Sequence, residues 1–343
     1  MTRVRLDRLL HAAPVLLLTT IALLVPSTFA RAQAAMVQIR MATLVPTGSL
    51  WDKNLRQMGS EWSRATGGRI TLTVFPGGAM GDEATLVRKM RFDSPQAAAL
   101  SAIGLSRIDD AFTVFSSPFF FESYDELNHV ISALTPTLST RLEQKGIVLL
   151  AWGHAGWAHL FTTTPVKTMD DLKRIRIFTS AGDDRMVQWY KTNGFQPRAL
   201  ATTDILTGLT SGMIDGLPAP PVAALAFQWF RHTKYMVGTG IAPVIGAVVI
   251  TKKTWEGIAE ADRQLLRVSA RGLEQRLAAE VPRAERESIA EMQKRGLIVT
   301  ASEESEWRSR AQSLTLTLPG MVPADILGIA TKARDSYRQT HAR

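Results

Sequence analysis

The chain has 343 residues, no cysteine and a formal net charge of +9 at pH 7. The lack of cysteine excludes a disulfide framework and a lipid attached through a cysteine. Its 40 basic residues are interspersed with 31 acidic ones rather than gathered in stripes, so the charge pattern does not favour nucleic-acid binding.

The N-terminus has the three-part layout of a secretory signal peptide. Three arginines in the first eight residues precede an apolar run over residues 12–25 and a small-residue pattern over residues 30–34. The apolar run is shorter than the roughly 20 residues of a membrane-spanning helix. We therefore expect residues 1–34 to be removed on export and the mature chain not to span a membrane. An uncleaved anchor is the alternative.

Strands and helices alternate along the first half of the mature chain. The predicted elements, in order, are strand 37–43, helix 50–65, strand 69–75, helix 83–90, strand 96–101, helix 124–145 and strand 147–152. Gly67 and Gly68 mark the end of the first helix. The alternation predicts a largely parallel sheet with helices on both faces.

The pattern restarts after Gly156. The predicted elements of the second half are strand 174–178, helix 183–193, strand 195–199, helix 203–211, strand 213–217 and strand 244–251. A helical tract over residues 259–295 follows, with a kink or break expected at Pro282. Such a helix is about 50 Å long at 1.5 Å per residue, which is longer than one small domain.

We therefore predict an α/β protein of two lobes with a ligand cleft between them and a long helix bracing both. About 310 residues are enough for two domains with cores of their own. The predicted boundaries are residues 35–155 plus about 244–280 for lobe I. Lobe II takes residues 156–243 plus about 281–343.

Arg176 lies on a predicted strand, where side chains are usually buried. A cation there is costly unless an anion meets it, and a guanidinium matches a carboxylate through two parallel hydrogen bonds. This placement predicts capture of a carboxylic acid. The alternative is an internal salt bridge to an acid such as Asp183 or Asp184.

Several short motifs carry a family resemblance through their order and spacing. They are Ile39–Thr43, Pro46–Ser49, Phe75–Glu83, Ser117–Phe121, Leu172–Arg176, Gly194–Pro197, Thr203–Gly216 and Pro220–Ala224. Together they resemble the solute-binding proteins of tripartite ATP-independent periplasmic (TRAP) transporters, of the DctP type. The resemblance covers nearly all of the mature chain. It implies a periplasmic-binding-protein-like fold and a periplasmic, non-enzymatic receptor that delivers organic acids to the small and large TRAP membrane subunits.

The resemblance also implies site residues. Arg176 matches the arginine that pairs with the ligand carboxylate in the family, and Thr179 and Thr202 match positions that contact ligand. The chain departs from the family pattern at two places: Ala219 replaces a common asparagine, and Trp157 stands where a second arginine is often found.

The remaining candidates for the ligand pocket are Phe178, Pro220 and His154. An apolar wall rejects a second charge and stabilises a hydrocarbon group by roughly 25 cal/mol per Å² buried. The set predicts an apolar or aromatic monocarboxylate or 2-oxo acid. Core packing is the alternative role for the aromatic residues, and a structural or solvated role for His154.

Three other functions stay open: a C4-dicarboxylate-binding TRAP receptor, a scavenger or sensory binding protein without a TRAP permease, and a secreted α/β enzyme. No phosphate-loop or Gly-x-Ser-x-Gly motif supports an enzyme. His154 and His159 flank a predicted turn and make a poor zinc pair. We therefore predict no catalytic residues, no metal and no cofactor.

Overall fold

The computed structural model describes residues 36–182, 184–301, 305, 307–310 and 322–341. The predicted signal peptide lies outside the described residues. The strands are β1 Val37–Thr43, β2 Ile70–Phe75, β3 Ala97–Ser101, β4 Ile147–Thr162, β5 Arg176–Ser180, β6 Gln196–Leu200, β7 Gly216–Ala219, β8 Tyr235–Val237, β9 Ala242–Thr251 and β10 Ile298–Thr300.

Eleven α-helices are described. They are α1 Leu50–Ala65, α2 Glu83–Met90, α3 Ala102–Ser106, α4 Tyr124–Gln144, α5 Met169–Leu172, α6 Asp184–Thr192, α7 Ile205–Thr210, α8 Pro221–Ala226, α9 Lys252–Glu256, α10 Glu260–Lys294 and α11 Ala324–His341. Among the described residues, no helix is both long and apolar enough to cross a membrane. The α/β class is confirmed, and most predicted elements lie within two residues of their expected ends.

The sheet is mixed, so the prediction of a largely parallel sheet is wrong. The strand order is β2-β1-β3-β9-β4-β7-β5-β6, with β8 also beside β4 and β10 beside β8. β9 runs antiparallel to both β3 and β4, and β4 runs antiparallel to β7. β9 follows β8 in the chain but inserts between two strands of the first half. Local sequence patterns do not report such an insertion.

β4 is one strand of 16 residues that joins two groups of strands, whereas the sequence predicted an end at Trp152. The first strand group comprises β1, β2, β3, β9 and the first part of β4. The second strand group comprises β5 to β8, β10 and the last part of β4. The pairing of β4 with β9 shifts register at two places, the second between His154 and Gly156. Such bulges bend a strand without ending it.

Helices cover both faces of each strand group, as predicted. α10 has 35 residues and continues through Pro282, where the sequence predicted a kink or break. Its buried stripe includes Leu266, Leu273 and Leu277, in the apolar cluster that also holds Trp62 of α1. Farther along, Met292 packs in a cluster of the second strand group. Packing at both ends therefore holds the helix across the proline.

Gly153 tests the fit between β4 and the helices that cover it. A Cβ at this position would lie 2.7 Å from Leu277 Cδ1 and closer still to the Trp51 ring. We expect Gly153→Ala to lower the free energy of unfolding by about 1–3 kcal/mol, because overpacking forces side chains out of their rotamers. Urea denaturation measures the change.

The control is Gly328→Ala in α11, where the added Cβ has no atom within 4 Å. Alanine there should raise stability by about 0.5–1 kcal/mol through helix propensity. An equal effect of the two substitutions would contradict the close packing at Gly153.

Candidate functional site

A cavity of about 450 Å³ lies between the two strand groups, and we call it the central compartment. The first strand group contributes the ends of β1 and β3 and the start of β9, and the second contributes the ends of β5 and β7 with α7 and α8. Its apolar lining includes Leu44, Leu50, Trp51, Ile103, Ile205 and Phe227. Ligands of open α/β folds favour such positions at the carboxyl ends of strands.

A second cavity of about 240 Å³ adjoins the first, and we call it the α6 compartment. The two share Ser101, Phe178, Ser180 and Pro218 among their lining residues, so they form one continuous cleft. The α6 compartment adds a set of aromatic side chains, which are Phe119, Trp189, Tyr190, Phe195 and Trp307. The cleft is therefore apolar along both arms.

Glu83 is the charged group on the described wall of the central compartment. Its two carboxylate oxygens accept hydrogen bonds from the backbone N–H and the hydroxyl of Ser101, each at 2.6 Å. Burial raises the pKa of Glu83 above its ordinary value. Among the described residues that line the two compartments, none is a lysine, an arginine or a histidine. The described wall thus offers hydrogen bonds and one acid, and no cation.

Arg176 is paired with Asp215 and lines neither compartment. Its Nε and Nη2 donate to the two oxygens of that carboxylate at 2.7 and 2.6 Å, and its backbone N–H donates at 2.9 Å. The sequence analysis placed this guanidinium on a ligand, with Asp183 or Asp184 as the alternative partners. Arg176 begins β5, and the residues that follow it on the strand, 177–180, line the α6 compartment, whereas the guanidinium is held by Asp215.

The Arg176–Asp215 pair joins β5 to the turn before β7. The backbone N–H of Asp215 also donates to the Arg176 carbonyl at 2.8 Å. The hydrogen bonds from Arg176 lower the pKa of the Asp215 carboxyl. The pair therefore stabilises the second strand group in the ionised state of Asp215.

Four of the predicted site residues meet in the central compartment: Phe178, Thr202, Ala219 and Pro220. Thr179 lies in the α6 compartment, which Phe178 also lines. Residues 178 and 179 point to opposite faces of β5, as neighbours on a strand do. Five of the predicted site residues thus line the cleft at the ends of β5 and β7 and before α7 and α8, whereas Arg176 lines neither compartment.

Trp157 lines a separate cavity of about 690 Å³ together with Tyr124, His159 and Glu285. The Glu285 carboxylate accepts hydrogen bonds from the Trp157 backbone N–H and the Tyr124 hydroxyl, both at 2.5 Å. Burial raises the pKa values of Glu285 and Tyr124. Trp157 therefore contributes its backbone to a buried polar network on β4.

His154 is buried beside the same network and lines neither compartment. Its Nε2 lies 2.8 Å from Asn128 Oδ1, and its ring packs edge-on against Tyr124 with centroids 5.0 Å apart. Burial lowers the pKa of His154 to about 4. The imidazole is consequently neutral at pH 7 and suits a structural role.

Glu83, Ser101 and Ser180 were missed as site residues. Glu83 is the first residue of α2, just after the N-cap Asp82. An acidic residue is common at the start of a helix, so its presence there did not indicate a ligand site. The two serines end β3 and β5. The rule that ligands bind at the carboxyl ends of strands was the signal that could have found them.

The fold, with a cleft between two strand groups joined by a long strand and a long helix, is that of an extracellular solute-binding protein. Residues 41–318 match the DctP family, described as bacterial extracellular solute-binding protein, family 7. The chain belongs to this family. Membership confirms the predicted family and the prediction that the chain is a binding protein rather than an enzyme.

Solved structures of similar fold include two TRAP periplasmic solute-binding proteins. One, from Xanthobacter autotrophicus with bound β-D-galacturonate, has a TM-score of 0.81 and 21% identity, covering 87% of this chain and 99% of that one. The other, from Ralstonia eutropha with bound (S)-2-acetolactate, has a TM-score of 0.79 and 21% identity over the same shares. At this identity the likeness establishes the fold.

A solute-binding protein from Chromohalobacter salexigens is 24% identical over 220 residues, which are 64% of this chain and 65% of that protein. The chain thus spans just under two thirds of the length of the first curated relatives it matches.

The Arg176–Asp215 pair gives a pH-dependent test of its structural role. The pKa of Asp215 is lowered in the folded protein, so the stabilisation is present above the ordinary aspartate pKa near 3.9 and is lost as the pH falls through the lowered value. We expect Asp215→Asn to lower the free energy of unfolding by about 1 kcal/mol at pH 7, as for a partly exposed ion pair. Denaturation curves at several pH values should show this difference begin to shrink near pH 4 and vanish only below the lowered pKa of Asp215.

Arg176→Ala should likewise reduce stability and leave solute binding within a few-fold of the unmodified protein. Loss of binding in a folded Arg176→Ala variant would show that the guanidinium reaches the ligand after all.

Proposed function

We propose that this chain is an exported, periplasmic receptor of a TRAP transporter that captures a small organic solute in the central compartment. Residues 35–155 with about 244–280, and 156–243 with about 281–343, would act as two lobes. A solute held between them contacts both and so favours the closed state, because only that state provides both sets of contacts. The closed receptor would then dock on the small and large membrane subunits.

The composition of the cleft supports a solute with an apolar body. A ligand that removes apolar surface from water gains roughly 25 cal/mol per Å², and both strand groups supply such surface here. Ser101 and Ser180 offer hydroxyl groups at the junction of the two compartments. We infer a solute with a hydrocarbon body and one polar end that carries no obligatory negative charge.

A carboxylate solute is the second candidate. Structural relatives bind galacturonate and acetolactate, which are both organic acids. In this chain the described lining has no cation to meet a carboxylate, and Glu83 would repel one when ionised. Burying an unpaired charge costs several kcal/mol, so the neutral class is the stronger candidate.

Matched pairs of ligands separate the two candidates. The screen pairs small apolar amides, aliphatic and aromatic, with the carboxylic acids of the same carbon skeleton. We expect each amide to raise the melting temperature of the purified protein more than its acid does. Binding to the folded state stabilises by RT ln(1 + [L]/Kd), or about 2.7 kcal/mol at a hundredfold excess over Kd. A thermal-shift screen followed by calorimetry measures this.

Stronger binding of the acids would favour the carboxylate candidate and a cation outside the described lining. Succinate and malate belong in the same screen, since a response to them would favour the dicarboxylate alternative. A lack of response to every amide and acid would count against the proposed solute class. It would favour the alternatives in which the chain works without a TRAP permease.

Phe178 lines both compartments, so a cation at this position would be within the cleft. We expect Phe178→Arg to reverse the preference, with the acid of each matched pair gaining at least tenfold over its amide, because a guanidinium binds a carboxylate through two hydrogen bonds. Calorimetry on the two ligands measures the ratio. Phe178→Met is the control, which keeps the wall apolar and should retain the amide preference. An unchanged ratio in the arginine variant would mean that residue 178 does not face the solute.

A further inference from the structure

We propose that the α6 compartment is a second ligand subsite, which holds an aromatic ring or a similarly flat apolar group of the solute. The inference rests on the proposed function, since the same solute would extend from the central compartment. It assigns the solute a two-part form: a polar group near Ser101 and a ring beneath α6.

The α6 compartment reaches both faces of β5, because the consecutive residues Ile177, Phe178 and Thr179 all line it. Ile177 packs with Phe195 on one face, whereas Phe178 packs on the other face in the cluster that holds side chains of α7 and α8. The compartments meet where β5 ends, beside Ser180 and Pro218. A solute can therefore pass around the end of the strand without crossing the sheet.

The α6 compartment has the size and lining that a ring requires. Its volume of about 240 Å³ exceeds the roughly 150 Å³ of an apolar cavity that accommodates benzene. Trp189, Tyr190 and Phe195 form an aromatic group, with ring centroids 5.2 Å apart for Trp189 and Tyr190 and 5.6 Å apart for Tyr190 and Phe195. Aromatic groups favour edge-to-face and offset partners at such distances.

Loose packing of α6 leaves this space open. Among the described side chains of α6 none is fully buried, and Met186, Trp189 and Tyr190 are half-buried. By contrast, α7 buries Ile205 and Leu209 within only six residues. A helix normally packs its apolar face against the sheet, and a ring inserted here would cover part of the surface that the half-buried side chains of α6 expose.

The turn between β5 and α6 is tied to the other strand group. Arg107, which follows α3, donates from Nη2 to the Ala181 carbonyl at 3.3 Å and from Nη1 to the Gly182 carbonyl. Ser101, at the end of β3, lines both compartments. Both strand groups therefore meet at the junction, and a solute spanning it would contact both.

Butyramide and 4-phenylbutyramide test the subsite, because they share a polar group and differ by a ring. We expect the phenyl compound to bind the purified protein at least tenfold more tightly by calorimetry. Trp189→Ala and Tyr190→Ala should remove most of that gain and leave butyramide unchanged, whereas Trp189→Phe should retain it. Phe227→Ala is the matched control, since Phe227 lines the central compartment alone. It should weaken both amides by a similar factor.

Equal affinity of the two amides, or a phenyl gain that survives both alanine variants, would overturn the subsite. A crystal soaked with iodobenzene separates this failure from that of the proposed function. Iodine density beneath α6 without binding of either amide would retain the subsite and reject the proposed solute. Iodine density in the central compartment alone would reject the subsite whichever amide binds.

Discussion

The whole cleft depends on one constraint, which is the passage of a single strand through both strand groups. β4 pairs with β9 along its first part and with β7 and β8 along its last. It bends at Gly156, whose φ of +109° lies in a region that disfavours side chains. A Cβ there would also lie 2.7 Å from the Glu285 carboxylate and 3.1 Å from Pro220. The bend thus brings Glu285 of α10 and Pro220 of the central compartment close to the Cα of Gly156.

The chemistry of the cleft follows from where charge is placed. Arg176 forms an ion pair with Asp215 at the start of β5. The residues of this strand that line the central compartment are Phe178 and Ser180, and neither is a cation. Glu83 is held by Ser101, burial raises its pKa, and it is the one acid on the described wall, which has no cation. A wall of this kind selects by shape and by the match of hydrogen bonds, since no long-range attraction favours an anion.

Local patterns in the sequence placed most of the longer helices and strands, because apolar periodicity and capping residues act within a few positions, but they missed α11 and the last part of β4. The sequence was less informative where pairing is long-range. Nothing near Arg176 indicated that its partner is 39 residues away at Asp215. The insertion of β9 between β3 and β4 likewise depends on contacts that no local pattern encodes. Thr202 and Ala219 were predicted from the family resemblance, and Phe178 and Pro220 from the apolar residues near them; all four line the central compartment, where strands end and helices begin.

Trp157 has a structural contact that its sequence position did not indicate. Its backbone N–H donates to Glu285, which also accepts from Tyr124, so the residue holds α10 and α4 to the bend in β4. The same Glu285 oxygen that accepts from Trp157, Oε1, would lie 2.7 Å from a Cβ at Gly156, and Pro220 Cβ would lie 3.1 Å from it, so a side chain has no room there. The network therefore lies next to Pro220, which lines the central compartment, and helps to position it. Trp157, which the sequence predicted as a ligand contact, thus links β4 to α10 through its backbone, while its side chain lines the separate cavity of about 690 Å³.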